Sequence, residues 1–370
     1  MNCTPLLIVA VSARALAVSA HKAGLATYVL DLFADTDTQR VALAYQQVQA
    51  QTYNFDDTDL LEQVHRLCPT NTALVYGSGF EHNPALLAKL AQGRYLYGNT
   101  PDILQFIKDP QAFFGLLHRQ GIPHPETRLT PPTDTSTGWL VKHIGGTGGY
   151  HVQPLKTVIT EKKSACYYQR QLAGNPHSVL FLANGKTAEI IGYNEQWINE
   201  DFASTPYLYA GAMRVDDMPF QPEITEVVNC IVKETGLKGL CGMDMILNAT
   251  GFHVLEINPR PPASFELHQI KGNLFYWHLQ ATMGKLPTSP LAHPRYNRAK
   301  RILYALKTLN IPRYPQWSAW TADQPRPNSV IQRGEPICTI FAQGRNCKAL
   351  ILKREQQLQT LLKRWQENTA

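Results

Sequence analysis

The stretch Leu240–Arg260, LCGMDMILNATGFHVLEINPR, constrains this chain more than any other segment. Two apolar runs flank Ala249-Thr250-Gly251, which reads as a β-hairpin with a glycine-ended turn. With a three-residue loop and Gly251 in the left-handed position, Asp244 stands opposite Glu256, and Asn258, two residues on, shares their face. A two-residue loop would put the two carboxylates on opposite faces. The three-residue loop is therefore the expected register, with Leu255 and Ile257 burying the other face. Like charges opposed across two strands destabilise a bare sheet, so a cation is the natural complement. Two carboxylates and an amide oxygen are hard donors that suit Mg²⁺, an ion that also takes substrate phosphates. Asp244, Glu256 and Asn258 are thus the expected metal ligands, and Arg260 follows closely enough to reach a phosphate.

A second feature is His143-Ile144-Gly145-Gly146-Thr147-Gly148-Gly149, after the short strand Trp139–Lys142. Four glycines in five positions cost backbone entropy, and they let backbone N–H groups close on an anion beside the Lys142 charge. No Gly-Lys-Ser/Thr follows, so this is not a Walker A loop, and the strand that comes next excludes a dinucleotide fingerprint. The N-terminal third lacks that fingerprint too. Asp31 ends a second strand where a ribose-binding acid would sit, but Ser12-Ala13-Arg14-Ala15 after the first strand contains no glycine.

The rest of the chain sets the frame. Residues 6–11, 27–32 and 73–76 read as strands, and 14–23, 41–49, 60–67 and 85–91 as helices. That alternation implies a doubly wound parallel sheet over residues 1–100. Residues 101–120 read as one or two helices stopped by Gly121-Ile122-Pro123-His124-Pro125. A helix is expected at 223–235, strands across 330–352, and a helix at 354–368. Of 370 residues, 44% are hydrophobic and 17% charged, which fits a globular protein of two to three domains. The formal charge of +6 is spread thinly and the basic residues form no long stripe, which speaks against a nucleic-acid binder. The seven cysteines, at 3, 68, 166, 230, 241, 338 and 347, include no Cys-x-x-Cys, so a zinc ribbon is excluded and a cytoplasmic protein with reduced thiols is expected. Leu6–Val11 lacks the basic flank of a signal peptide and no apolar run reaches membrane-spanning length, so no membrane association is expected.

These features together resemble the ATP-grasp superfamily, which includes D-alanine–D-alanine ligase, glutathione synthetase and biotin carboxylase. The resemblance covers most of residues 1–290 and is most specific at Val254-Leu255-Glu256-Ile257-Asn258-Pro259-Arg260, with Asp244 twelve residues earlier. It implies an α/β and α+β ATP-grasp fold with four parts: a Rossmann-like domain at 1–100, a central subdomain with the glycine-rich lid at 101–165, a C-terminal subdomain with hinge and metal site at 166–290, and a β-rich tail with a helix at 291–370.

The resemblance also assigns residues. Lys108, before a helix that ends in Gly-Ile-Pro-x-Pro, and Lys142 match the nucleotide lysines. Gly145, Gly146, Thr147, Gly148 and Gly149 match the lid. Tyr168–Gly174 matches the adenine-holding hinge, with Gln169, Arg170, Gln171 and Leu172 as contacts, although that hinge often has an acid where Arg170 stands. Arg260 and Lys142 would be catalytic, with ATP and two Mg²⁺ ions, replaceable by Mn²⁺, as cofactors. The implied reaction joins a carboxylate to an amine through an acyl phosphate. Bicarbonate-dependent carboligation and a non-catalytic nucleotide-binding module are the alternatives. The sequence is similar to predicted ATP-grasp carboligases found beside one-carbon cofactor genes, which points to small-molecule acids and amines as partners and leaves room for a homodimer. Arg214, Ser264, Glu266 and His268 are the expected substrate residues. Arg214 would hold a carboxylate among Tyr207, Tyr209 and Phe265, and Glu266 or His268 would take the amine proton.

Overall fold

Leu6–Val9 (β1) is buried along its whole length, as expected of a central parallel strand covered on both faces. The computed structural model describes residues 4–51, 54–134, 138–157 and 165–367. With Thr27–Asp31 (β2), Ala44–Gln47 (β3), Leu74–Tyr76 (β4) and Leu96–Tyr97 (β5), β1 forms a parallel sheet in the order β3-β2-β1-β4-β5. Arg14–Lys22 (α1), Thr36–Val41 (α2), Asp57–Leu67 (α3) and Pro84–Ala91 (α4) connect these strands. The helix expected at 41–49 is not there. Its Ala- and Gln-rich composition favours a helix locally, but residues 44–47 pair with β2 as an edge strand, and Gln47 Nε2 also donates to the Leu32 carbonyl at 2.7 Å.

Asp31 is a structural acid. It is buried at the end of β2, and its carboxylate accepts from the backbone N–H groups of Ala13, Phe33 and Ala34.

Pro101–Lys108 (α5) stops where Asp109 leaves the helical region. Asp109 then caps Pro110–Arg119 (α6) by accepting from Ala112 N at 2.8 Å, with Pro110 in the first turn. This break leaves Lys108 at the end of α5. A smaller antiparallel sheet follows, built of Thr127–Arg128 (β6), Trp139–His143 (β7), Val152–Pro154 (β8) and Cys166–Arg170 (β9) in the order β8-β7-β9-β6.

The remaining chain builds a large antiparallel sheet. Its strands are Asn175–Asn184 (β10), Ala188–Ile198 (β11), Tyr209–Val215 (β12), Lys238–Asn248 (β13), Gly251–Asn258 (β14), Arg298–Tyr304 (β15), Thr321–Ala322 (β16) and Pro336–Gln343 (β17), in the order β14-β13-β10-β11-β12-β15-β17-β16. Gln221–Thr235 (α7) packs on one face through Ile224, Val228 and Ile231 against Val179, Phe181 and Met243. On the other face Leu180, Leu182 and Phe265 meet Leu16 and Ala17 of α1 and Phe275 of Asn273–Thr282 (α8). Phe265 is thus a core residue and not a substrate wall. Strands are found at 330–331 and 336–343, but the alternation expected as far as 352 gives way to Cys347–Glu367 (α9). Ile351, Leu358, Leu362 and Trp365 are its buried stripe, at helical spacing.

The segment after β16 docks on the first domain. Asp37 accepts from the backbone N–H groups of Asp323 and Gln324, and Thr36 N donates to the Gln324 carbonyl. Among the described residues the six cysteines are free, and no helix is long and apolar enough to cross a membrane. Cys3 lies outside the described residues.

Candidate active site

The acidic hairpin reaches the expected juxtaposition by an unexpected route. Asn248 pairs with Gly251, so the turn has two residues, Ala249 and Thr250. That register would separate the two carboxylates. It is restored by a β-bulge: Met245 pairs with Val254, whereas Asp244 pairs with Glu256, which leaves Leu255 as the extra residue. Val254 and Ile257 take up the core face, and Leu255 is only half-buried.

Around this pair the polar groups close into one network. Asn258 Nδ2 donates to Asp244 Oδ2 at 2.9 Å, and Gln196 Nε2, from β11, donates to Asp244 Oδ1 at 2.9 Å. Lys108 Nζ reaches Glu256 Oε2 at 3.0 Å. Arg260 donates from Nη2 to Asn258 Oδ1 at 3.1 Å and from Nε to Glu81 Oε1 at 2.9 Å. Glu81 is buried at the C-terminal end of β4, where it also accepts from the backbone N–H groups of Gly79 and Phe80, so it fixes the guanidinium. Lys142, buried on β7, donates to Gln169 Oε1 at 2.6 Å, and Gln169 is oriented in turn by donating to Thr127 Oγ1 at 3.1 Å.

The electrostatics follow from this packing. Burial, then the facing Glu256, pushes the Asp244 carboxyl up. Burial also works against the Glu256 charge, but Lys108, His151 and Lys142 outweigh it and hold that carboxyl down. Burial lowers the Lys142 ammonium, with Glu256 and Asp244 opposing. Two opposed carboxylates that resist joint ionisation, plus an amide, form an all-oxygen donor set that fits Mg²⁺. Among the described residues no three His, Cys, Asp or Glu side chains cluster as a metal site, so further ligands would come from phosphate and water.

The glycine loop is seated over this network. Gly148 O accepts from Tyr209 N at 3.0 Å. Gly149 has φ +82°, and a Cβ there would lie 1.9 Å from the Tyr207 carbonyl oxygen, so only glycine permits the approach. Thr147 is half-buried beside it.

Several expected residues lie elsewhere. Arg170 points away from Gln169, pairs with Glu126 at 3.3 Å and stacks on Trp139 at 4.8 Å, because side chains alternate along β9. Gln171 is exposed against Gly138 and Leu172 is half-buried. Arg214 pairs with Asp216 and donates to the Pro294 carbonyl at 3.0 Å, so its guanidinium is already engaged. Ser264 is buried in the turn Ala263–Leu267. Glu266 is clamped by Arg14 and Lys300, with Arg14 Nη2 to Oε2 at 2.9 Å and Lys300 Nζ to Oε2 at 3.1 Å. Against its burial, Arg14 and Lys300 hold the Glu266 carboxyl below the usual range, which makes it a poor base. His268 is 1% exposed, bonded through Nε2 to Asn194 Oδ1 at 2.8 Å, and pushed down to about 3 by burial and by Arg214, His293 and Arg298. Neither Glu266 nor His268 is placed to take a proton from an amine.

The sequence reading assigned no role to Arg14, Gln196 or His151. Arg14 bonds both Glu266 and Asp323, whose Oδ1 lies 2.8 Å from Nε, a pairing across 309 positions that no local pattern reveals. The hydroxyl of Tyr209 is buried without a hydrogen-bond partner and feels the charges of Asp244 and Glu266.

A family model described as an ATP-grasp domain matches residues 107–264, the span from α5 to the turn after β14. Residues 107–264 thus carry an ATP-grasp domain. An uncharacterized protein of Methanocaldococcus jannaschii is 24% identical over 367 residues, covering 93% of this chain and 89% of that protein. Among solved structures, the chain is similar in fold to N5-carboxyaminoimidazole synthetase from Staphylococcus aureus complexed with ADP, at TM-score 0.67 and 16% identity, with 97% of each chain covered. It is likewise similar to biotin carboxylase from Campylobacter jejuni, at TM-score 0.68 and 12% identity over 92% of this chain and 88% of that one. The N5-carboxyaminoimidazole ribonucleotide synthetase of Thermotoga maritima gives TM-score 0.65 at 17% identity, covering 97% and 98%.

Proposed function

We propose that the protein is an ADP-forming acid–amine ligase. The observation that carries this reading is the opposition of Asp244 and Glu256, with Asn258 beside them and Lys108, Lys142 and Arg260 around them. Asp244, Glu256 and Asn258 would hold Mg²⁺, and the ion would supply charge neutralisation for the β- and γ-phosphates of ATP. Lys108 and Lys142 turn from Glu256 and Gln169 to the phosphates. The substrate carboxylate attacks the γ-phosphorus, the bond to the β–γ bridging oxygen breaks, and ADP leaves. An amine nitrogen then adds to the acyl phosphate carbon, and the C–O bond to phosphate breaks as the amide forms, the amine proton leaving with the phosphate. Arg260, held by Glu81, stabilises charge on the transferred group and on the tetrahedral intermediate. The seated glycine loop keeps water from the acyl phosphate. Acids and amines related to one-carbon cofactor precursors are the substrates to try first.

A second reading, bicarbonate-dependent carboligation, is supported by the engagement of Glu266, His268 and Arg214, the residues an amine acceptor would have used. ADP release with acids, amines and bicarbonate added separately tests the two. The ligase reading expects release that depends on an acid and gives an amide once an amine is present. Amine-independent release that requires bicarbonate would reverse the assignment.

A further inference from the structure

His151 closes the glycine loop, and its backbone carbonyl accepts from His143 N at 3.1 Å. Its imidazole folds back over Gly146, where a Cβ would lie 2.2 Å from the His151 Cγ. The ring therefore owes its position to a missing side chain at 146. Its Nδ1 is shut off from solvent and has no hydrogen-bond partner. The ring feels the charges of Glu256, Lys142 and Lys108, and it also reaches the Thr147 backbone.

Buried polar nitrogens are almost always bonded, so an orphaned one beside a reaction centre marks an acceptor that arrives with a ligand. The positive charges of Lys142 and Lys108 acting on this spot favour an anion there. Both lysines now spend a hydrogen bond on protein acceptors, Glu256 and Gln169, which an incoming anion would replace. A terminal phosphate oxygen supplies the acceptor that Nδ1 lacks.

We propose that His151 is a phosphate-contacting residue delivered by the lid, its Nδ1–H donating to a terminal phosphate oxygen of the bound nucleotide. This rests on the ATP-dependent reading above and adds a residue to it. Seating of the loop and occupancy of the phosphate site become one event, because the loop that covers the phosphates also carries the donor that holds them. Gly146 is needed for the same event, since any side chain there would displace the ring.

The test compares His151→Phe, which keeps a ring but no donor, with His151→Asn, whose amide nitrogen sits close to the Nδ1 position. Calorimetry of Mg-ATP and Mg-ADP binding is paired with kcat and KM for ATP in ADP release. Loss of a hydrogen bond to a charged group predicts ATP binding weaker by about tenfold or more in His151→Phe, with ADP affected far less. kcat falls with it, and His151→Asn recovers most of both. Wild-type ATP affinity and kcat in His151→Phe would overturn the assignment. So would equal losses for ATP and ADP without rescue by Asn, the signature of packing alone. A wild-type protein that binds neither nucleotide would overturn the proposed function itself.

Discussion

Asp244 and Glu256 face one another across β13 and β14 only because Leu255 is bulged out of the ladder between them and the turn. The two-residue turn sets a register that would send one carboxylate to each face, and one extra residue in β14 reverses it. Deleting Leu255 should therefore straighten β14 and still leave Glu256 opposite Asp244, because Glu256 then follows Val254 directly. Turnover should survive this deletion far better than Glu256→Gln, which keeps shape and register. Glu256→Gln should lose on the order of 10²–10³-fold in ATP-dependent turnover, comparable with removal of a group that stabilises transition-state charge, with an unchanged circular-dichroism spectrum. Wild-type rates in Glu256→Gln would remove Glu256 from the metal set.

The bulge also marks where the sequence stopped being informative. Three polar groups on one apolar hairpin were legible, because period-two alternation survives in β13 and β14 on either side of the defect. The turn was not, since Ala249-Thr250-Gly251 accommodates both a two-residue and a three-residue loop. Lys108 and Lys142 were legible through the motifs beside them. The clamp on Glu266 was not, because Arg14 lies 252 positions away and Lys300 lies 34 away, and only the fold brings them together. Residues 44–47 failed for a related reason. An edge strand takes half its bonds from a neighbour, and those bonds override a local helical preference.

Glu81 holds Arg260 in a site where neither charge is hydrated. Glu81→Gln should leave that guanidinium uncompensated, at a cost of about 3 kcal/mol in urea unfolding. Because Arg260 also loses its fixed direction, turnover should fall by more than KM for ATP rises. An unchanged kcat would show that Arg260 is held well enough by Asn258 alone.

Gly149 carries two constraints at once, a left-handed backbone and contact with the Tyr207 carbonyl. Gly149→Ala should keep the loop from seating. Hydrogen exchange of residues 144–150 should then stay fast when Mg-ATP is added, whereas the wild type gains protection. Thermal stability should change little, because the displaced loop moves into solvent. Equal protection of the wild-type loop with and without Mg-ATP would remove its role as a lid.

Arg14 joins three parts of the chain, bonding Glu266 beyond the hairpin and Asp323 in the docked C-terminal segment from its own place on α1. Burial alone would raise both carboxyls. Arg14, with help from Lys300, outweighs it and holds Glu266 and Asp323 below the ordinary carboxylate range. A carboxyl whose folded-state value lies below its unfolded value stabilises the fold fully above the unfolded value, and that stabilisation disappears as pH falls through the folded value. The wild type should therefore lose stability steeply below the ordinary carboxylate range, with these two acids contributing to the slope. In Arg14→Met only Lys300 and Thr339 remain to oppose burial at Asp323, so its carboxyl should rise and its stabilising contribution should shrink. Stability of the variant should then fall as pH rises from acid towards neutrality, relative to wild type. Urea midpoints measured across pH for both proteins check this, and parallel curves would mean that Arg14 does not govern either acid.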